Sequence, residues 1–282
     1  MIDGKYGEEK HKAWTHDMPT AMFVDEFQVL TRVLDLDDGR VRNLTDSFQH
    51  ACETRHAPML ISGSSVSMLV GDALGGLLSG RFKVRRLEPL SQEHAIDMIF
   101  RLVRVNGIEI TGALALAIWE WTRGYPYSIE AILNSDLPDV ERLPSIDELD
   151  KIVLFELTQG QGALWGHYES EYGKYVRELN GDDVTRKILL WIVNYPDEHI
   201  HPKRVLEAFD LDVLQIRESL EILDQIDILD RATISTYLGP SDPLMREYLK
   251  YAHYVDVDDL LRTDAAAKLS QELNRKQGEI NR

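Results

Sequence analysis

The stretch Ala21-Met22-Phe23-Val24-Asp25-Glu26-Phe27-Gln28 decides how the chain is read. Its apolar run ends abruptly on two adjacent carboxylates, the pattern of a buried parallel strand that delivers acids to the carboxyl edge of a sheet. A second run, Met59-Leu60-Ile61, ends in Ser62-Gly63-Ser64-Ser65. A third, Phe82-Lys83-Val84-Arg85-Arg86-Leu87, follows a Gly-rich turn. Leu44, Phe48, Ala51 and Cys52 recur at helical spacing and predict a helix over roughly 40–55. Strands separated by connections of helix length, with polar residues at two carboxyl ends, predict one side of a nucleotide-binding α/β domain. Residues 1–18 are polar and aperiodic and predict a loop or frayed helix.

Two neighbouring carboxylates at a strand end diverge, so one can serve a metal and the other a nucleophile. In that reading Asp25 holds magnesium through its waters and Glu26 orients and deprotonates the water that attacks a γ-phosphate. The plainer alternative has Asp25 capping the next turn and Glu26 solvated. Ser62, Ser64 and Ser65 read either as donors to a phosphate or the attacking water, or as caps and turn residues. Arg81, just before the third run, reads as a phosphate contact or as a solvated cation.

Composition sets outer bounds. The 282 residues leave room for two domains and a real core. Asp and Glu number 48 against 31 Lys and Arg, a net charge of −17 that opposes unassisted binding to nucleic acid or anionic membrane. The one cysteine, Cys52, forms no internal disulfide and suits a reducing compartment. The N-terminus lacks the apolar centre of a signal peptide, and no apolar run reaches the ~18 residues of a membrane span. A cytoplasmic protein is expected.

Downstream, Ser91 predicts the N-cap of a helix carrying Ala95, Ile96, Ile99, Leu102 and Val103 and stopped by Gly107. Thr111 opens a second helix with Leu114, Ile118 and Trp121, broken at Gly124-Tyr125-Pro126. Ser145-Ile146-Asp147-Glu148 is a capping box ahead of Leu149, Ile152, Val153 and Leu157. Trp165, Tyr168, Tyr172, Tyr175 and Leu179 form an aromatic stripe, read as core rather than as a stacking platform. From Val184 three short helices are expected, then strands at Ile226–Leu229 and Thr233–Tyr237, then Asp242-Pro243-Leu244 and a closing helix. Three helices and a small hairpin describe a winged helix. Between 184 and 250 stand 8 Lys/Arg and 12 Asp/Glu, and the presumptive recognition helix carries Asp212, Glu218, Glu221 and Asp224 against Arg217 alone. A reader of phosphates needs the opposite sign, so a protein contact or intramolecular role is favoured. Residues 255–282 are expected as one long polar helix, and His199-Ile200-His201 as a surface turn without a third metal ligand.

The ordered set of motifs resembles the archaeal-type ATPases, a branch of the AAA+/STAND class of P-loop NTPases. The residues that carry the resemblance are Asp25-Glu26-Phe27-Gln28 as a Walker B strand end, Ser62–Ser65 as a sensor-1 segment, Gly80-Arg81-Phe82, the turn Leu87-Glu88-Pro89-Leu90-Ser91, and Gly124-Tyr125-Pro126. The resemblance implies a partial α/β core over 1–90, a helical lid over 91–160, a helical linker over 161–183, a winged helix over 184–250 and a C-terminal helix over 251–282. It implies ATP and magnesium as cofactors, with Gly124 and Pro126 in a turn that approaches the nucleotide base. Protein partners are expected, nucleic acid is disfavoured by charge, and an oligomer is compatible with the reading.

The Walker A loop, Gly-x4-Gly-Lys-[Ser/Thr], does not occur in these 282 residues. Gly4-Lys5 and Gly173-Lys174 lack both the upstream glycine and the following hydroxyl residue. That loop supplies an N–H cradle, a phosphate lysine and a magnesium ligand. Each charge-assisted bond contributes roughly 1.5–3 kcal/mol, so the expectation is an N-terminally incomplete copy that does not bind ATP by itself. The alternatives are a non-catalytic interaction module built on the winged helix, and a winged-helix DNA-binding regulator.

Overall fold

The computed structural model describes residues 22–25, 27, 34–35, 41–42, 59–63, 82–83, 85, 87–137, 145–172, 184–195, 199–225, 228–233, 236–256 and 258–280. The chain divides into two compact units, one of residues 1–86 with 225–227, the other of 87–224 with 228–282. The described structure is mostly helical, with a small parallel sheet in the first unit.

In the first unit β1 (Met22–Val24) pairs in parallel with β4 (Met59–Ile61), in the register Met22↔Met59, Phe23↔Leu60 and Val24↔Ile61. The two strands are less buried than expected. Phe23 is 73% and Leu60 59% exposed, and register places them side by side on one open face. A parallel strand is fully buried only when layers cover both faces and neighbours flank both edges, and among the described residues β1 pairs with β4 alone. Phe27, just past β1, is fully buried.

Leu34–Asp35 (β2) pairs antiparallel with Val41–Arg42 (β3). The expected helix over 40–55 therefore does not include 41–42, and its remaining positions lie outside the described residues. The expected third strand is also corrected: Phe82, Lys83, Arg85 and Leu87 lie in no strand. An extended run becomes a strand only where a neighbour accepts its hydrogen bonds, and no described residue pairs with it.

The second unit follows its local caps. Helix α1 (Gln92–Val105) is capped by the Ser91 hydroxyl, which accepts from His94 N–H, and buries Ala95, Ile99 and Val103. Helix α2 (Gly112–Thr122) is capped by Thr111, and α3 (Pro126–Leu133) begins on Pro126. Pro at the first helical position loses no bond, because its N–H would be an orphan there anyway. Helix α4 (Ile146–Thr158) starts at the predicted capping box: Ser145 Oγ accepts from Glu148 N–H and donates to Glu148 Oε2 at 2.6 Å. Helix α5 (Ala163–Tyr172) buries Leu164, Tyr168 and Tyr172, while Tyr175 and Leu179 of the stripe lie outside the described residues.

Helices α6 (Val184–Asn194), α7 (Pro202–Ala208) and α8 (Val213–Gln225) are the three expected short helices. The strands near them are corrected. His199–Ile200 is a strand (β5) rather than a surface turn, and His201 caps α7 by accepting from Lys203 N–H. The first hairpin strand, β6, is Asp230–Thr233, not Ile226–Leu229, and β7 is Thr236–Leu238. Their order is β5-β7-β6, all antiparallel, with an irregularity between Arg231 and Thr233.

Helix α9 (Pro243–Asp256) is the hub of this unit. It packs on α6, α10, α4, α2 and α5 and buries nine of its 14 residues. The single closing helix expected over 255–282 is instead the end of α9 and a separate α10 (Arg262–Ile280), with Asp259 at φ 54° between them. Leu269 and Leu273 of α10 bury against Tyr251 and Tyr254 of α9.

Buried Glu156 of α4 is satisfied by Ser135 Oγ at 2.6 Å and Leu164 N–H at 3.2 Å, so it holds the first turn of α5. The chain can reach that position because Gly162 has no side chain. A Cβ there would lie 2.6 Å from the Glu156 carbonyl oxygen and 2.7 Å from its Cα. Gly162→Ala is expected to lower stability by about 1–3 kcal/mol, the usual range for overpacking, read as a reduced urea midpoint.

Candidate functional site

Parallel pairing brings the two predicted strand ends together. One residue past Val24↔Ile61 stand Asp25 and Ser62. The pairing continues there, with Ser62 N–H donating to the Val24 carbonyl at 2.9 Å and Phe27 N–H to the Ser62 carbonyl at 2.9 Å. The Ser62 hydroxyl donates to Asp25 Oδ1 at 2.5 Å. Both residues are exposed. The arrangement is a solvent-facing carboxylate, a hard oxygen donor suited to a hydrated divalent cation, held by a hydroxyl that keeps its own lone pairs for another partner. Glu26, Ser64 and Arg81 lie outside the described residues.

Gly124 and Pro126 belong to the second unit and shape one turn. Gly124 sits at φ +85°, and its carbonyl accepts from Leu90 N–H at 2.9 Å. A Cβ at Gly124 would meet the Leu90 carbonyl oxygen at 2.0 Å, so both conformation and space require glycine. The Leu87–Ser91 turn and the Gly124–Pro126 break, read separately in the sequence, are thus in direct backbone contact. Arg123, also left-handed at φ 47°, places its guanidinium 5.0 Å from the Trp119 ring centroid.

Five residues that sequence reasoning did not assign to a site, Tyr125 of this turn with Ser128, Tyr168, Ser241 and Asp242, are joined here by hydrogen bonds. The Tyr125 hydroxyl pairs with Ser241 Oγ at 2.9 Å. Asp242 Oδ1 accepts from Leu244 N–H at 2.9 Å and Met245 N–H at 3.4 Å, capping α9, while Oδ2 accepts from the Tyr168 hydroxyl at 2.7 Å. Ser128 Oγ lies 3.4 Å from the same hydroxyl. Burial raises the Asp242 carboxyl above its ordinary value, against the opposing pull of its hydrogen bonds. Burial, with Asp242 beside it, also holds the Tyr168 hydroxyl well above the usual phenol range. The signal for the cap was present as Asp242-Pro243, an N-cap acid before a first-turn proline. Among the described residues, no three His, Cys, Asp or Glu side chains converge as a metal site, and no helix is long and apolar enough to cross a membrane.

No family model and no curated protein matches this chain. Among solved structures, a Walker-type ATPase of Pyrococcus abyssi matches it with a TM-score of 0.59. The match covers 87% of this chain and 69% of that one, at 15% sequence identity. The likeness is one of fold. It is consistent with the α/β sheet expected from the strand ends, and it carries no residue assignment by itself.

The Asp242 carboxyl gives a pH prediction. Because its folded-state value is raised, its contribution to stability is fully present below the unfolded value of 3.8 and is lost as pH rises through the raised value. Asp242→Asn keeps an oxygen that can accept the capping bonds but has no proton to lose. The stability difference between variant and wild type should therefore move in the variant's favour as pH rises through that window, measured by urea unfolding at a series of pH values.

Proposed function

We propose that the chain is the Walker B, sensor-1, lid and winged-helix portion of an archaeal-type ATPase of the AAA+/STAND class, acting in the cytoplasm. The observation that carries this reading is the parallel pairing that brings Ser62 onto Asp25 at a shared carboxyl edge. In this reading Asp25 serves magnesium, Glu26 the attacking water, and Ser62 or Ser64 senses the γ-phosphate. Arg81 reaches a phosphate, and Gly124 and Pro126 shape the turn that approaches the base. Asp25 fits magnesium as a single water-mediated ligand, since its carboxylate is exposed and held by Ser62. When bound, the ion would neutralise charge on the phosphates. The triphosphate itself has no cradle among these residues, because Gly-x4-Gly-Lys-[Ser/Thr] does not occur in the sequence.

The order α6, β5, α7, α8, β6, β7, with β5 on the hairpin, supports the winged helix over 184–250. Residues 91–160 then serve as the lid, 161–183 as the linker and 251–282 as the closing segment. The exposed side of α8 presents Val213, Leu214, Gln215, Glu218 and Glu221 with Arg217. That surface favours a protein partner over a duplex, the interaction-module reading, since phosphates require a basic face.

Titration of residues 1–282 with ATP and magnesium should show no binding in the micromolar range; saturable, magnesium-dependent micromolar binding would refute the missing-cradle argument. In a longer protein that supplies the cradle, Asp25→Asn with Glu26→Gln should abolish ATP hydrolysis. Full function of that double variant would favour the non-catalytic module. A duplex DNA titration at low salt is expected to show no saturable binding, and a salt-sensitive affinity would restore the regulator reading.

A further inference from the structure

Residues 87–90 are the first of the second compact unit, directly after Arg86. They are fastened at once: Leu90 N–H donates to the Gly124 carbonyl, and the space a Gly124 Cβ would need is already filled by Leu90 backbone. One residue later the Tyr125 hydroxyl reaches Ser241, and one residue after Ser241 the Asp242 carboxylate holds the opening amides of α9. A second route runs beside the first. Ser128, on the helix that Pro126 begins, lies against the Tyr168 hydroxyl, and Tyr168 donates to Asp242. Both routes end on the two residues Ser241 and Asp242. Each passes through a tyrosine, a rigid ring with only two side-chain torsions, so neither contains a long flexible side chain that could absorb a displacement.

We propose that the Ser241–Asp242 turn is a mechanical junction that couples the Leu90–Gly124 contact to the first turn of the central helix α9. A shift at residues 87–90 is passed by Gly124 and Tyr125 to the first turn of α9. Coupling of this kind is reciprocal: loosening either end must loosen the other by the same factor. The inference stands on the second unit alone and does not depend on nucleotide binding.

The test is residue-resolved amide hydrogen exchange on the full chain and on Ser241→Ala, Tyr125→Phe and the double variant, all changes that preserve packing. Ser241→Ala should speed exchange of the Leu90 amide by about fivefold or more, the lower range of measured couplings, although Ser241 is not a partner of Leu90. Tyr125→Phe should speed exchange of Leu244 and Met245 by a similar factor. The double variant should match the single ones, because both remove the same bond. Amides of α10 around Ala265 and Leu269 report global stability and should stay at wild-type rates. An unchanged Leu90 amide overturns the junction, and so does a rise at Leu90 matched by an equal rise in α10.

Discussion

A carboxylate at the head of a buried helix is the contact on which the second unit rests. Helix α9 is enclosed along most of its length, with Leu244, Tyr248, Leu249, Tyr251 and Tyr254 all buried. A helix end has amide groups without intrahelical partners, and in a buried setting water does not reliably supply them. Asp242 supplies two and adds the Tyr168 hydroxyl. Removing such a cap typically costs about 1 kcal/mol, and it would leave the Tyr168 hydroxyl with its longer contact to Ser128 Oγ at 3.4 Å. The same helix buries Glu247 and Lys250 as an ion pair with contacts of 3.1 and 3.2 Å. Such pairs add little net stability, but breaking one by removing a partner is expensive.

Polar ties fix how α5 and α6 meet this helix. The Tyr248 hydroxyl donates to Glu169, Arg186 Nε donates to the Tyr172 hydroxyl at 2.6 Å, and Arg186 also pairs with Asp256. Thr185 donates to Ser219 at 3.1 Å inside the packing between α6 and α8. The aromatic stripe of α5 therefore buries its rings and uses its hydroxyls at the same time. Tyr168 and Tyr248 lie 5.6 Å apart between centroids, within ordinary aromatic packing distance.

What could be read from the sequence follows from how local each interaction is. Ser91, Thr111 and Ser145 each bond an amide three residues away, so their helices were legible from short patterns. Asp25 and Ser62 were legible because parallel strands end on the same edge, which makes residues 37 positions apart neighbours by rule. Tyr125 and Ser241 are 116 positions apart and follow no periodic rule. Only the packed helices bring them together. The short strands failed for a related reason. Two residues such as His199–Ile200 carry no alternation to detect, and Phe82–Leu87 has the composition of a strand without a described neighbour to pair with.

Phe23 and Leu60 have a consequence for handling the chain. Side by side on an uncovered parallel pair, they form the sort of adhesive strip that natural sheets hide or interrupt with charge. The large negative charge of the molecule opposes self-association by mutual repulsion, and that repulsion weakens within ~8 Å at physiological salt. Precipitation on raising ionic strength would then begin at this strip while the helical unit is still folded, so colloidal behaviour and thermal stability are separate properties of this chain.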